Sequence, residues 1–179
     1  MTKTLAPVLA AAAVLGLAAP ALAGAPQPAR PAPLSFYSGR WYEIARFPNT
    51  NQRDCQAPTN DIAPAGGEGR YALIQTCHRG GPTGPAKVFK GSGRIVPGSD
   101  NAKMKVTFFG LISQEYWVLD HADDDAWAIF ATPGGNFVWL WSRRPTMEPT
   151  ERAAAVARIR ALGYNTARLE FPVQAPPSA

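Results

Sequence analysis

From Phe36 to Arg143 the chain alternates apolar and polar positions in short runs, the period of a strand with one buried face. The runs are Trp41–Phe47, Cys55–Ile62, Arg70–His78, Lys87–Val96, Lys103–Phe109, Glu115–His121, Ala126–Ala131 and Asn136–Arg143. Turn-forming residues separate them: Pro48-Asn49, Gly66-Gly67, Gly80-Gly81-Pro82, Pro97-Gly98, Gly110, Asp123–Asp125 and Pro133-Gly134-Gly135. Eight strands joined by hairpin-length links predict an antiparallel up-and-down meander. Closed on itself, such a sheet loses its edges and keeps an interior wide enough for one small ligand.

The period changes once. Pro149-Thr150-Glu151 opens a run of Ala and Arg that stops at Gly163, with Val156, Ile159 and Leu162 at helical spacing. This predicts one amphipathic helix lying on the outside of the barrel. Leu169, Phe171 and Val173 alternate again, as a ninth strand would, before a tail over residues 174–179. The barrel domain is expected over residues 35–173, with no internal repeat and no second domain.

The N-terminus changes the picture of where the protein works. Lys3, an apolar stretch from Leu5 to Ala19, and Ala21-Leu22-Ala23 before Gly24 have the order of a secretory signal peptide, expected over residues 1–23. The stretch is Ala-rich and no stop-transfer charges follow it, so a membrane anchor is not expected. No Cys sits just after Ala23, so the expected product is exported, periplasmic and without a lipid anchor. Residues 24–34 are Pro-rich and read as an extended, poorly ordered lead-in.

Charge and cysteine content narrow the partners. The chain carries 18 Lys and Arg against 13 Asp and Glu, net +5, scattered rather than clustered as a nucleic-acid footprint would be. The mild excess fits peripheral contact with an anionic membrane surface, or an anionic ligand. Cys55 and Cys77 flank Gly66-Gly67, so a hairpin folded there brings them together. In an exported chain that spacing predicts a disulfide, worth roughly 3 kcal/mol.

Nothing in the pattern carries catalysis. His78 and His121 are the two histidines, and neither sits in a nucleophile or metal-ligand spacing. Gly91-Ser92-Gly93 lacks the Lys that a phosphate loop needs and reads as a strand bulge. Asp120–Asp125 lacks the Gly and distal Glu of a calcium loop. No catalytic residue, metal or cofactor is expected; the oligomeric state, monomer or homodimer, stays open.

"SGRWYEIARFPN" at residues 38–49, "KVTFFG" at 105–110, "YWVLD" at 116–120 and "FVWLWSRRPT" at 137–146 together resemble the lipocalin family, in its bacterial branch similar to apolipoprotein D. The resemblance runs across the whole domain. It departs at Asp124-Asp125, where that family usually has an aromatic after an Asp. It implies an eight-stranded barrel with an outer helix and a cavity for a fatty acid, lysophospholipid or similar lipid. The implied roles are transport, storage or envelope maintenance. The alternatives are an enzyme acting on a lipophilic substrate and a ligand-free structural or stress protein of the envelope. The resemblance also implies a structural set, Gly39, Trp41 and Arg143, in which the guanidinium covers the indole and seals one end.

If Trp41 points inward, strand parity carries Glu43, Ala45 and Phe47 inward with it, and Arg143 carries Phe137, Trp139 and Trp141. The apolar faces of the other strands add Met104, Val106, Phe108, Tyr116, Val118, Trp127 and Ile129. The ligand-lining set is therefore Glu43, Phe47, Met104, Val106, Phe108, Tyr116, Val118, Trp127, Phe137, Trp139 and Trp141, an aromatic cavity with few polar groups. Composition alone fits a dry core as well as a cavity. Glu43 is the anomaly, because an unpaired carboxylate inside a barrel is costly. It either orders the cavity wall through buried partners or touches the ligand.

Overall fold

The computed structural model describes residues 24–175; the expected signal segment, residues 1–23, and residues 176–179 lie outside the described residues. Eight antiparallel strands close into a barrel in sequence order: β1 (Gly39–Arg46), β2 (Gln56–Pro64), β3 (Arg70–His78), β4 (Ala86–Ile95), β5 (Lys103–Phe108), β6 (Ile112–His121), β7 (Trp127–Ala131) and β8 (Val138–Ser142). β1 pairs with both β2 and β8, which closes the ring. The eight runs expected from alternation are the eight strands, with bounds moved by a few residues.

One helix, α1 (Pro149–Ala161), follows the barrel. Pro149 starts it where a backbone N–H would have no partner anyway. Gly163, at φ 93°, ends it. There the Gly163 N–H donates to the Arg160 carbonyl and the Tyr164 N–H to the Ile159 carbonyl, a left-handed helix stop. Ala155 and Ile159 are its buried residues, and they pack on the outer barrel wall with Ile44, Leu119, Ile129 and Leu140. The barrel therefore has two apolar clusters. The inner one holds Trp41, Leu73, Met104, Val106, Val118 and Phe130, and the outer one lies beneath α1.

Three expectations are corrected. The ninth strand reduces to one bridge, Arg46 to Glu170, while Phe171 and Val173 stay exposed; alternation without a face to bury does not make a strand. The lead-in expected to be poorly ordered is tied down, with Ala25 N–H bonded to the Pro133 carbonyl and Ala32 N–H to that of Asp100. Gly91-Ser92-Gly93 is not a bulge, since β4 pairs without a register shift to both neighbours. A Cβ on Gly93 would stand 2.6 Å from Met104 Sδ and 2.9 Å from Leu73 Cδ1. The glycine lets those side chains meet across the interior.

Candidate ligand cavity

The closed end is built first. Trp41 is wholly buried, its indole N–H donates to the Tyr37 carbonyl at 3.2 Å, and the Arg143 guanidinium carbon lies 3.6 Å from its ring centroid. Arg143 also donates to the carbonyls of Ser38 (2.8 Å), Arg40 (3.3 Å) and Phe36. One planar fork thus ties the last strand to the chain entering the first. Gly39, at φ 95°, is needed because a Cβ there would lie 3.3 Å from Arg143 Nη1. These three residues form a seal with no part in the cavity.

Above the packed inner cluster, the other half of the barrel holds a cavity of about 260 Å³, just under the usual range for small-molecule sites. Of the expected lining, Glu43, Phe108, Tyr116, Phe137, Trp139 and Trp141 face it. Met104, Val106 and Val118 point inward too but are packed in the core beneath it, with Trp41 and Phe130.

Phe47 and Trp127 are corrected, because both face outward. In β1 the register shifts between Glu43 and Ala45, so parity inverts: Ala45 and Phe47 join the outer cluster and Arg46 turns inward. Phe47 packs edge-on against Tyr164 beside α1. In β7, Ala128 pairs with Trp141 and Phe130 with Trp139, so Ala128 and Phe130 share the inner face. Trp127 and Ile129 consequently lie on the outer side with Ser142 and Leu140.

The same bulge resolves Glu43. Arg46, brought inward by it, donates to the Glu43 carboxylate at 2.8 Å, and both side chains are buried. Gln52 Nε2 donates to both carboxylate oxygens, at 3.0 and 2.8 Å. The Gln52 side-chain oxygen, Oε1, accepts from Trp139 Nε1 at 3.1 Å, and Arg46 Nη2 donates to the Cys55 carbonyl at 3.0 Å. Burial pushes the Glu43 carboxyl above its usual range, and Arg46 and Gln52 pull it only part of the way back. For the guanidinium, burial works against the charge and Glu43 favours it, with a net rise. The two effects oppose each other on the carboxyl. With donors on both oxygens and a guanidinium that does not deprotonate, the pair is read as ionic.

The cavity is also more polar than expected. Asn60, Gln75 and Phe89 are successive cross-strand partners on β2, β3 and β4, and all three line it, as do Asn49, Thr59 and Gln114. Trp41 pairs with Asn60, so extending its inward parity across the sheet reaches that row. At the mouth, Lys87 Nζ lies 4.5 Å from the Phe89 ring centroid and 3.5 Å from the Asn51 carbonyl.

Cys55 and Cys77 lie side by side in the cavity wall, as the hairpin argument expected, with both thiols free in the structure. A hydrogen bond between them pushes Cys55 up, and with nearby Lys87 lowers Cys77 to about 7. Among the described residues no group of three or more His, Cys, Asp or Glu is placed to hold a metal ion.

A sealed antiparallel barrel with an outer helix and one small-molecule cavity defines a calyx-type binding protein. The chain belongs to the lipocalins: the model of the lipocalin-like domain matches residues 33–174. Temperature-induced lipocalin-1 of Arabidopsis thaliana is 29% identical over 141 residues, covering 74% of each chain. The outer membrane lipoprotein Blc of Vibrio cholerae is 28% identical over 141 residues, covering 77% of this chain and 80% of that one. The solved structure of insecticyanin from Manduca sexta superposes with a TM-score of 0.71 at 18% identity, over 87% of this chain and 88% of that one, which shows the shared fold. Members of this family bind small hydrophobic ligands.

Proposed function

We propose that the protein is an exported, periplasmic carrier for a single-chain amphiphile, a fatty acid or a lysophospholipid held tail-inward. The observation that carries this reading is an aromatic cavity open at one end, with Lys87 over Phe89 at its mouth, where an anionic head group would sit. Each methylene taken from water contributes about 0.8 kcal/mol. After association costs, a dissociation constant on the order of micromolar is expected. Similarity to a protein named as an outer membrane lipoprotein supports work at the envelope, in lipid transport, storage or maintenance. Organic-solvent extraction of the purified protein, followed by mass spectrometry, tests this. A co-purified lipid is the expected result. No extracted lipid, together with Trp fluorescence unmoved by added fatty acid, would sink it.

A second reading has one specific observation behind it. Cys77 faces the cavity with a lowered pKa, the property of a nucleophile that acts on a lipophilic substrate. Oxidation to the Cys55–Cys77 disulfide, which we propose for the exported protein, would remove that nucleophile. A non-reducing mass short by two hydrogens therefore decides for the carrier.

A further inference from the structure

We propose that the open end of the barrel is a docking surface for an anionic phospholipid bilayer, entered by the β5–β6 hairpin tip. Phe109, Leu111 and Ile112 are all exposed there, Leu111 to 87%. Four consecutive residues, Phe109-Gly110-Leu111-Ile112, thus present three large apolar side chains to solvent.

The tip is held out by its backbone. Phe109 at φ 53° and Gly110 at φ 71° are both left-handed, and the Leu111 N–H donates to the Phe108 carbonyl at 3.0 Å. Asn, Asp or Gly favour the first of those positions, and a bulky aromatic is strained there. A local rule broken to put a phenyl ring on a tip marks a working surface. The patch continues into the cavity. The Phe109 ring meets Phe89 edge-on at 6.1 Å, and Phe89, Phe108, Phe109 and Ile112 all line the mouth. Val88, on the outer face of β4 next to Phe89, is exposed as well. An apolar lip continuous with the cavity gives an acyl chain a path that avoids water.

Charge identifies the occupant. At the open end, residues 47–55, 79–87, 109–111 and 132–137 carry Arg53, Arg79 and Lys87 against one carboxylate, Asp54. Asp54 is engaged by the Gly80 N–H at 3.1 Å. The closed-end hairpin connections, residues 65–69, 96–102 and 122–126, carry Glu68, Asp100, Asp123, Asp124 and Asp125; Arg30, paired with Asp123 at 2.7 Å, and Arg143 of the seal offset part of that charge and leave this end acidic. An anionic surface attracts the basic open end more than the acidic closed end, so it turns the mouth toward the lipid. A neutral apolar partner would exert no such torque.

The test is co-sedimentation of the purified exported protein with vesicles of phosphatidylglycerol and phosphatidylethanolamine, against phosphatidylcholine vesicles. Binding to the anionic vesicles should weaken with salt. Leu111→Asp should lose about tenfold in vesicle affinity. Arg53→Glu/Arg79→Glu should lose a comparable amount and flatten the salt dependence. Leu111 is outside the cavity lining, so Leu111→Asp keeps its affinity for dodecanoic acid; that separate measurement distinguishes loss of docking from failure of the carrier reading. Docking is overturned if the unaltered protein stays in the supernatant at low salt, or if Leu111→Asp pellets equally well. A solution dimer that Leu111→Asp dissolves, without vesicle binding, gives the tip to a second copy and also overturns it.

Discussion

At the residue scale, the carboxylate that seemed misplaced is half of a buried ion pair. Removing one partner leaves the other charge without compensation, so Glu43→Leu should cost about 3–5 kcal/mol in denaturant unfolding. Glu43→Leu/Arg46→Met should recover part of that loss, because no uncompensated charge remains. If the single variant unfolds like the native protein, the pair does not hold the cavity wall together. Cys77 offers a second measurement. The Cys55 thiol lies beside it and Lys87 stands near, so in the reduced protein its thiolate population rises through pH about 7. An ordinary thiol titrates near about 8.5. Alkylation by iodoacetamide should therefore be half-maximal near pH 7 and fall below it, with Cys77→Ser removing that phase. A midpoint above pH 8 would show that Cys55 and Lys87 do not lower it.

At the element scale, alternation and turn chemistry reveal nearly everything about order: eight strands, one helix and a Gly stop. Parity is legible only until a bulge intervenes. The shift between Glu43 and Ala45 sends Phe47 outward and Arg46 inward, and no residue in "YEIAR" announces it. Trp127 was undecidable for another reason: every position of β7 is apolar, buried inside or beneath the helix side, so alternation has no contrast. The polar row of Asn60 and Gln75 was readable by carrying Trp41's face across the sheet, since cross-strand partners share a face. The seal at the closed end rests on Arg143, which stacks on Trp41 and reaches three carbonyls. Arg143→Ala should cost about 2–3 kcal/mol. Arg143→Lys should recover less than half, because an ammonium neither stacks as a plane nor forks. Full rescue by Lys would show that charge alone makes the seal.

At the scale of the whole molecule, dry core and cavity are not alternatives but successive storeys of one barrel. Met104, Val106, Val118 and Phe130 fill the sealed half, and the cavity begins where Trp139, Trp141 and Tyr116 rise above them. A floor at that height limits how much of a chain can be buried, and the limit is measurable. In a series of saturated fatty acids, each methylene that enters the cavity should raise affinity roughly fourfold, the equivalent of about 0.8 kcal/mol. Once the roughly 260 Å³ is filled, further methylenes stay at the mouth and that gain should flatten. Quenching of Trp fluorescence, read through Trp139 and Trp141, follows the titration. Affinity that climbs without a break through the longest chains would mean that the floor gives way or that the chain binds elsewhere. Affinity independent of length would mean that the tail does not enter the barrel, and the carrier reading would fall with it.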